Sequence, residues 1–411
     1  MISTDFASNE FWDDAWVSLK LLLQPWRWKI GVETELVKKE IKKIFGNMYH
    51  LDSDRTKMIH LFLSGRSALF YLLKSLKLPK NAEVMIQAFT CEAVVLPILA
   101  NNLKPIYIDI ESDTYSMNYR ELTNRLTDNC RVLILQHTFG LTPKFRNEIL
   151  KLTQERKLII IEDLAHGFSN NLTMKQSNNS FILLSFGRSK LLSSVFGGAI
   201  ISSNKSAIQQ YNNLPYPSFC FIFRCLLYKP LTMLIKTTYE FFYLGKIFHK
   251  ILNKVGLLIP EITSKEKRGE YDELLNKAYP NALVALLLHQ LNKFEQIQKQ
   301  RARICKIYKE TISKQVSNYQ LLITNYTSLI RFPLLVNNRD EIIKKARDRS
   351  IFHGTWYDQV VAPKDLDLGR VEYKLGSCPK AEEICEKIIN LPTNIKEEEA
   401  KRIVNILNDV K

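Results

Sequence analysis

The chain has 411 residues, enough for two or three domains, and carries a formal net charge of +16. This charge indicates an acidic partner: nucleic acid, an anionic membrane surface or a phosphorylated small molecule. Because the basic residues are spread out and form neither a nucleic-acid motif nor a dense basic arm, nucleic acid is the least favoured. The seven cysteines are odd in number and lack CxxC spacing, which indicates a reduced, cytosolic chain without a metal site.

Residues 1–58 are predicted to form an N-terminal arm and a helix. The first residues lack a basic stretch followed by an apolar one, so no signal peptide is expected. Trp16, Trp26 and Trp28 lie among leucines and basic residues, a pattern typical of an arm that packs on the body or on a partner subunit. An interfacial membrane contact is the alternative interpretation.

Residues 59–213 alternate short apolar runs with helical patterns. This alternation predicts a large α/β domain whose mainly parallel sheet is covered on both faces. In such sheets, ligands bind beyond the carboxyl ends of the strands. Three polar features lie at those ends: Ser64–Gly65, Asp163–His166 and Ser185–Lys190. The sequence therefore predicts one ligand site at this edge of the sheet.

Residues 214–262 interrupt the alternation with an aromatic, leucine-rich and basic insert. Charges and Pro230 break it too often for a transmembrane helix, which needs about 20 mostly apolar residues. Two interpretations stay open: a helical hairpin packed on the body, or a basic, aromatic surface resting on anionic lipid.

The remaining chain is predicted to contain two segments. Residues 263–318 form a linker, exposed from Ser264 to Tyr271, followed by one long amphipathic helix from Ala282 to Ile312. Residues 319–411 mix strand and helix patterns and predict a smaller α+β C-terminal domain.

A glycine turn opens a helix in the segment SGRSAL, from Ser64 to Leu69. Such a turn aims free backbone N–H groups at an anion, and the helix dipole adds to the attraction. Arg66 and Ser67 would add side-chain donors to a phosphate. The plain alternative is a serine N-cap on a buried helix.

Asp163 ends an apolar strand, where a buried carboxylate needs a cationic partner. A protonated pyridine nitrogen would serve, although a salt bridge or helix N-cap is the plainer interpretation. His166 could face the same ligand or be a structural histidine. Lys190 follows the next strand, and Ser185 lies five residues before it. A reactive lysine, a pyridinium-binding aspartate and a phosphate cup are what pyridoxal phosphate (PLP) needs from a protein.

An ordered set of segments resembles the DegT/DnrJ/StrS family of PLP-dependent sugar aminotransferases. The resemblance runs from about Leu61 to the C-terminus, except for the 214–262 insert. The segments, in family order, are SGRSAL, QHTFG, IIIEDLAHG, SFGRSK, GGAIIS and ALLLHQL. The resemblance implies the α/β fold type I architecture, with a large domain built on a mainly parallel seven-stranded sheet and a smaller α+β C-terminal domain.

The resemblance also assigns roles. Lys190 looks like the lysine that binds the cofactor's aldehyde and carries the proton, and Asp163 looks like the partner of the pyridine nitrogen. These two are the implied catalytic residues. The implied cofactor-binding residues are Gly65, Arg66, Ser67, Cys91, Asp163, His166, Ser185, Lys190 and Asn276. Related dehydratases have histidine in place of the lysine, so Lys190 favours transamination.

Several implied positions depart from the family pattern. Arg66 replaces a common threonine, and His166 replaces a glutamine. Cys91 stands where an aromatic residue stacks on the cofactor ring, and Phe89 lies two residues away. Asn276 matches an asparagine that reaches the phosphate of the neighbouring subunit, but the arginine usual two residues later is absent.

The resemblance implies a cytosolic homodimer with sites at its interface. Its reaction would move an amino group from glutamate to a nucleotide-linked keto-sugar for surface polysaccharide or a related glycoconjugate. Two alternatives stay open. One is a membrane-peripheral interaction protein on this scaffold, resting on the inner membrane face through 214–262 with weak or no catalysis. The other is a PLP enzyme of this fold that acts on a non-nucleotide substrate.

Overall fold

The computed structural model describes residues 1–48, 58–168, 179–202, 208–211, 213–315 and 328–409. The strands are β1 (Ile2–Ser3), β2 (Met58–Phe62), β3 (Glu83–Gln87), β4 (Thr90–Cys91), β5 (Lys104–Ile108), β6 (Cys130–Gln136), β7 (Ile159–Asp163), β8 (Ser180–Ser185), β9 (Gly198–Ser202), β10 (Arg331–Leu335), β11 (Ile351–Phe352), β12 (Val361–Ala362) and β13 (Ile388–Pro392). The α-helices are α1 (Trp12–Leu22), α2 (Glu33–Met48), α3 (Gly65–Ser75), α4 (Glu92–Ala100), α5 (Tyr119–Arg125), α6 (Arg146–Glu155), α7 (Phe219–Thr238), α8 (Leu244–Lys254), α9 (Ser264–Lys267), α10 (Asn281–Asn292), α11 (Phe294–Gln315), α12 (Arg339–Asp348), α13 (Pro379–Lys387) and α14 (Glu397–Asn408).

A seven-stranded sheet in the order β2-β9-β8-β7-β6-β3-β5 organises the large α/β part. Its strands are parallel except β9, which runs antiparallel to both β2 and β8. Strands β3, β7 and β8 are buried along almost their whole length, as expected for a sheet covered on both faces. The predicted mainly parallel, seven-stranded α/β fold is confirmed.

The N-terminal arm is joined to the C-terminal part of the chain. Strand β1 pairs in parallel with β11, and Thr4 donates a hydrogen bond from Oγ1 to the carbonyl of Asn390 at 2.9 Å. Nearby, β10 and β13 form an antiparallel pair. The arm therefore pairs with residues about 350 positions later in the chain. The predicted domain boundaries stay a prediction.

The helix predicted from Ala282 to Ile312 is wrong as a single element. Helix α10 ends at Asn292 and α11 begins at Phe294, with Lys293 between them. The Lys293 ammonium lies 2.8 Å from an oxygen of Asp13 and 2.9 Å from one of Asp14, both in α1. This tertiary contact lies at the break between the two helices. The apolar periodicity that predicted one helix does not report such contacts.

The 214–262 insert forms a helical hairpin of α7 and α8. Ser218 caps α7 by accepting a hydrogen bond from the Phe221 N–H at 3.2 Å. Helix α7 packs against α1, and a fully buried ion pair joins Lys229 to Glu10 at 2.6 Å. Helix α7 is thus packed on the body, as the first interpretation expected, whereas only Gly245 and Leu252 of α8 are buried. Among the described helices, none is both long and apolar enough to cross a bilayer.

Glu162 lies next to Asp163 on β7, and neighbouring strand residues face opposite sides of the sheet. The Glu162 carboxylate accepts hydrogen bonds from Arg146 Nε at 2.7 Å and Nη2 at 2.9 Å, and His137 Nε2 lies 3.0 Å away. Burial alone would raise the pKa of Glu162, but the bonds from His137 and Arg146 hold it at about 2. This ion pair fixes β7 beneath the predicted site.

Replacing Glu162 by glutamine should lower the free energy of unfolding near neutral pH by about 3 kcal/mol, because the buried Arg146 loses its ion pair with Glu162. The pKa of Glu162 in the folded protein lies below its ordinary value of 4.5, so its contribution is fully present above that pH. The contribution is lost as the pH falls toward 2, where the carboxylate is protonated. Urea titrations of the variant and the wild type should therefore converge at acid pH.

Glu148, an exposed residue of α6, provides the control. Glu148→Gln should change the free energy of unfolding by less than about 0.5 kcal/mol at every pH. If the free energies of unfolding of wild type and Glu162→Gln differed by the same amount at every pH, the ion-pair assignment would be contradicted.

Candidate active site

The sheet brings the polar strand ends together. Asp163 ends β7 and Ser185 ends the neighbouring β8, while Gly65 begins α3 directly after β2. A Cβ on Gly198, at the start of β9, would overlap the backbone of Ser64, so only glycine lets β9 pack this closely against the start of α3. All of these elements meet at one edge, as predicted.

A cavity of about 480 Å³ opens at this edge. Its lining includes seven of the nine predicted cofactor-binding residues, namely Gly65, Arg66, Cys91, Asp163, His166, Ser185 and Lys190. Ser67 and Asn276 are not part of the lining. The roles of these residues stay predictions, but the geometry gathers most of them around one space.

Lys190 lies in the turn after β8, where its backbone N–H bonds to the carbonyl of Gly187 at 3.2 Å. Its side chain is half-buried, and Nζ lies 5.0 Å from the centre of the Trp356 ring. The Asn9 side-chain amide donates to the Lys190 carbonyl, so the N-terminal arm also holds this turn. A primary amine is thereby presented to the cavity.

Asp163 is buried, and burial raises the pKa of its carboxyl. The backbone N–H of Ala165 donates to Oδ1 at 2.9 Å, and the nearby charges of Lys190 and His137 also favour the ionised form. A buried carboxylate facing a cavity gains stability from a cation placed there. The protonated ring nitrogen of PLP is such a cation, so Asp163 fits this cofactor.

The start of α3 can hold an anion. The N–H groups of Gly65 and Arg66 occupy the first two helical positions and have no carbonyl partner within the helix. Ser185 Oγ lies 3.1 Å from where a Cβ of Gly65 would stand, so its hydroxyl borders the same spot. Ser67 has a different use here: it forms a capping box with Ser64. The residues present therefore fit the phosphate of PLP through backbone and Ser185 donors.

The Arg66 side chain is engaged by acidic groups. It forms an ion pair with Glu266, lies 3.9 Å from Glu92 and donates to the carbonyl of Glu261 at 3.1 Å. Segment 264–271 was predicted to be exposed, and for Glu266 this is wrong, because the ion pair holds its side chain 1% exposed. Burial raises the pKa of Glu92 to about 7, although Arg66 opposes the shift.

His166 is neutral and has a defined tautomer. Burial, together with the charges of Lys190 and Arg331, lowers its pKa well below the ordinary value. The Phe139 N–H donates to Nδ1 at 3.2 Å, so the ring proton is on Nε2 and is donated to the Tyr357 hydroxyl at 2.9 Å. The Tyr357 hydroxyl hydrogen is then available to another acceptor.

Of the residues considered for contact with the cofactor ring, Cys91 lines the cavity and Phe89 does not. Cys91 lines the cavity, and burial raises the pKa of its thiol to about 12, so it is an uncharged, weakly polar group. Phe89 is fully buried against Tyr357, with ring centres 5.1 Å apart, and is not part of the lining. Trp356 is part of it.

Sequence reasoning missed Trp356 and Tyr357. Both belong to the loop between β11 and β12, where no strand or helix pattern places them at the sheet edge. The adjacent pair of aromatic residues in HGTWYDQ is the only local signal. Asn276 accepts a hydrogen bond from the Tyr271 hydroxyl at 2.6 Å, and its reach toward a neighbouring subunit stays a prediction.

Three comparisons with known proteins bear on this site. The model of the DegT/DnrJ/EryC1/StrS aminotransferase family matches residues 57–219 and 275–408, leaving out most of the insert. The dTDP-4-amino-4,6-dideoxy-D-glucose transaminase of Escherichia coli is 22% identical, over 85% of this chain and 84% of its own length.

Solved structures share the fold. Helicobacter pylori PseC, an aminotransferase involved in the biosynthesis of pseudoaminic acid, has a TM-score of 0.70 at 16% identity, over 98% of both chains. NtdA from Bacillus subtilis with bound cofactor PMP has a TM-score of 0.67 at 18% identity, over 97% of this chain and 81% of its own. Because the family model covers most of the sequence, the chain belongs to the DegT/DnrJ/EryC1/StrS aminotransferase family and is a PLP-dependent aminotransferase.

Proposed function

We propose that the enzyme moves an amino group from glutamate to a nucleotide-linked keto-sugar that feeds surface polysaccharide or another glycoconjugate. The observation that carries this proposal is the gathering of Lys190, Asp163 and Ser185 around one cavity at the sheet edge. The substrate class is supported by relatives such as the E. coli dTDP-4-amino-4,6-dideoxy-D-glucose transaminase and the GDP-perosamine synthase of E. coli O157:H7.

PLP, when bound, supplies an electron sink that makes the hydrogen on the amino-bearing carbon acidic. The chain's own residues would hold this group and move the proton. Asp163 would hold a proton on the ring nitrogen, and the start of α3 with Ser185 would hold the phosphate. Lys190 Nζ would hold the aldehyde and would serve as the base that takes and returns the proton at the reacting carbon. Trp356 and Tyr357 exclude water from one side of the cavity.

We also propose a homodimer with active sites at its interface. The described lining has six carboxylate residues and three basic ones, so the positive net charge of the chain is not concentrated here. The basic residues are Arg66, Lys190 and Lys364. Arg66 is engaged by acidic groups and Lys190 is reserved for the cofactor, so a sugar-nucleotide diphosphate needs further cations. A neighbouring subunit at the cavity mouth is a natural source of them.

A panel of nucleotide keto-sugars incubated with glutamate and the PLP-loaded enzyme tests this function. We expect stoichiometric amino-sugar and 2-oxoglutarate from at least one member, detected by mass spectrometry. Purified protein should be yellow, and borohydride should fix the cofactor on Lys190. Protein that takes up no added PLP would overturn the enzymatic proposal, and turnover with only non-nucleotide acceptors would favour the alternative substrate class.

A second candidate function is peripheral docking on an anionic membrane, and one surface of the insert favours it. Segment 241–260 contains no aspartate or glutamate. Exposed apolar side chains cover one side of α8 and the turn before it, and exposed lysines run beside them. We call this surface the α8 face: Phe241, Phe242, Tyr243, Leu244, Lys246, Ile247, Lys250, Ile251, Lys254 and Val255.

The charge of the α8 face selects lipid over a second copy of the chain. Two copies meeting symmetrically would place one lysine row against the other, which is repulsive. An anionic bilayer instead attracts each lysine by about 1 kcal/mol while the aromatic residues enter the headgroup region. We propose this docking in addition to catalysis, since Lys190 and Asp163 are both present.

Reversing the charge of two lysines on the α8 face, in the double variant Lys246→Glu/Lys250→Glu, should weaken binding to phosphatidylglycerol-containing vesicles by roughly tenfold or more. Co-sedimentation at low salt measures this. The control is Lys344→Glu/Lys401→Glu, which makes the same charge change at exposed sites on α12 and α14 and should bind like wild type. Absence of wild-type binding would refute the docking. A lower oligomer mass for Phe241→Ser/Phe242→Ser without vesicle binding would make the face a subunit contact.

A further inference from the structure

Arg331 begins β10 and is 1% exposed, and it does not line the active-site cavity but contacts Trp356, which does. Its guanidinium carbon lies 3.2 Å from the centre of the Trp356 ring. The same ring lines the cavity and lies 5.0 Å from Lys190 Nζ. The guanidinium is therefore within one aromatic side chain of the amine on which the reaction is proposed to occur.

The donors of this guanidinium are incompletely used. Among the described residues, none of the three buried guanidinium nitrogens of Arg331 (Nε, Nη1 and Nη2) has a hydrogen-bond partner. Its ion-pair partner is Asp5 of the N-terminal arm. A buried guanidinium stays charged and is costly to leave without an anion, so this position requires a carboxylate or a similar group.

Asp5 is the replaceable half of this pair. Its side chain is 48% exposed and lines the cavity, whereas Arg331 is enclosed. The backbone of the arm is held by the β1–β11 pairing, so only the Asp5 side chain has to move. An exposed carboxylate regains water when it swings out, and a carboxylate in the cavity can then take its place.

We propose that Arg331 is the carboxylate-binding group of the active-site cavity and that Asp5 occupies it until a substrate carboxylate arrives. Of the cations that line the cavity, Arg66 is held by acidic residues that are themselves buried, Lys190 is the proposed reactive amine, and Lys364 is exposed to water. A carboxylate on Arg331 lies beside the Trp356 ring that Lys190 also faces. Two sources share this chemistry: the amino-acid donor and a carboxylated sugar. The inference rests on the proposed function only in naming these sources.

Calorimetric titration of the PLP-loaded enzyme tests the proposal without turnover, so an enzyme that aminates no sugar in the panel still gives an answer. Glutarate is the probe for the donor, and UDP-glucuronate is the probe for a carboxylated sugar. Arg331→Gln should weaken binding of the fitting probe by roughly tenfold, because a charge-assisted contact is lost. Asp5→Asn should tighten it at least about threefold, because the internal competitor is removed.

Asp365 supplies the matched control. It is exposed, lines the same cavity and has no ion pair among the described residues. Asp365→Asn makes the same charge change as Asp5→Asn and should leave the dissociation constant within about twofold. If Asp5→Asn and Asp365→Asn tightened probe binding equally, the effect would come from the overall charge of the cavity, and the proposal would be overturned. An unchanged dissociation constant for both probes in Asp5→Asn would also overturn the proposal. So would an Asp5→Asn variant that binds only inorganic phosphate more tightly. Both outcomes can be read even if Arg331→Gln fails to fold.

Discussion

Lys190→Ala should lower turnover by roughly 10⁴-fold or more and abolish covalent attachment of PLP. The lysine is proposed to act twice, as the amine that binds the aldehyde and as the group that moves the proton. Its half-buried side chain lines the cavity, and its Nζ lies 5.0 Å from the centre of the Trp356 ring. Borohydride reduction followed by peptide mass spectrometry measures the attachment, and amino-sugar formation measures the turnover.

Lys364 is the matched control for this variant. It lines the same cavity but is exposed at its mouth. Lys364→Ala should keep the reducible adduct and keep turnover within roughly tenfold, since an exposed charge contributes little to a buried reaction centre. If Lys190→Ala still gave a borohydride-fixed adduct on another lysine with normal turnover, the assignment of Lys190 would be wrong.

The parts of the site that follow strands could be predicted from the sequence. The runs before Asp163 and Ser185 are almost wholly apolar, so they form buried strands of one sheet, and the position of the next polar residue follows from the strand's end. Parallel strands place those ends at one edge. The family resemblance then supplied the cofactor, which the family model confirms, and the seven-stranded sheet confirms the predicted fold.

The lining residues that come from distant parts of the chain, Asp5 and Glu261, could not be predicted in this way. Glu261 comes from the end of the insert, yet its carbonyl bonds to Arg66, 195 residues earlier. Asp5 reaches Arg331 only because two short strands, β1 and β11, pair. Two-residue strands have no readable period, and contacts this distant depend on how the whole chain packs. For this reason the acidic partners of Arg66 could not be predicted, and its role at the phosphate stays a prediction.

Asp163→Asn should lower turnover by roughly 10²- to 10⁴-fold while PLP stays attached to Lys190. The amide keeps the shape of the carboxyl and can still accept from the Ala165 N–H, but it cannot hold a proton on the ring nitrogen by charge. The electron sink is then weaker, so removal of the proton from the donor should be the step that slows. Stopped-flow absorbance of the glutamate half-reaction measures that step.

The neighbouring residue Glu162 gives the control, because its replacement should affect stability and not turnover, whereas replacement of Asp163 should affect turnover and not stability. Burial raises the pKa of Asp163, which means that the folded, cofactor-free protein disfavours this charge, so Asp163→Asn should not lower the free energy of unfolding. Glu162 has its pKa held at about 2 by Arg146 and His137, so Glu162→Gln should lose stability but keep turnover within roughly tenfold. If Asp163→Asn lost stability and turnover together, the carboxylate would be structural. A loss of turnover alone requires that it acts on the cofactor.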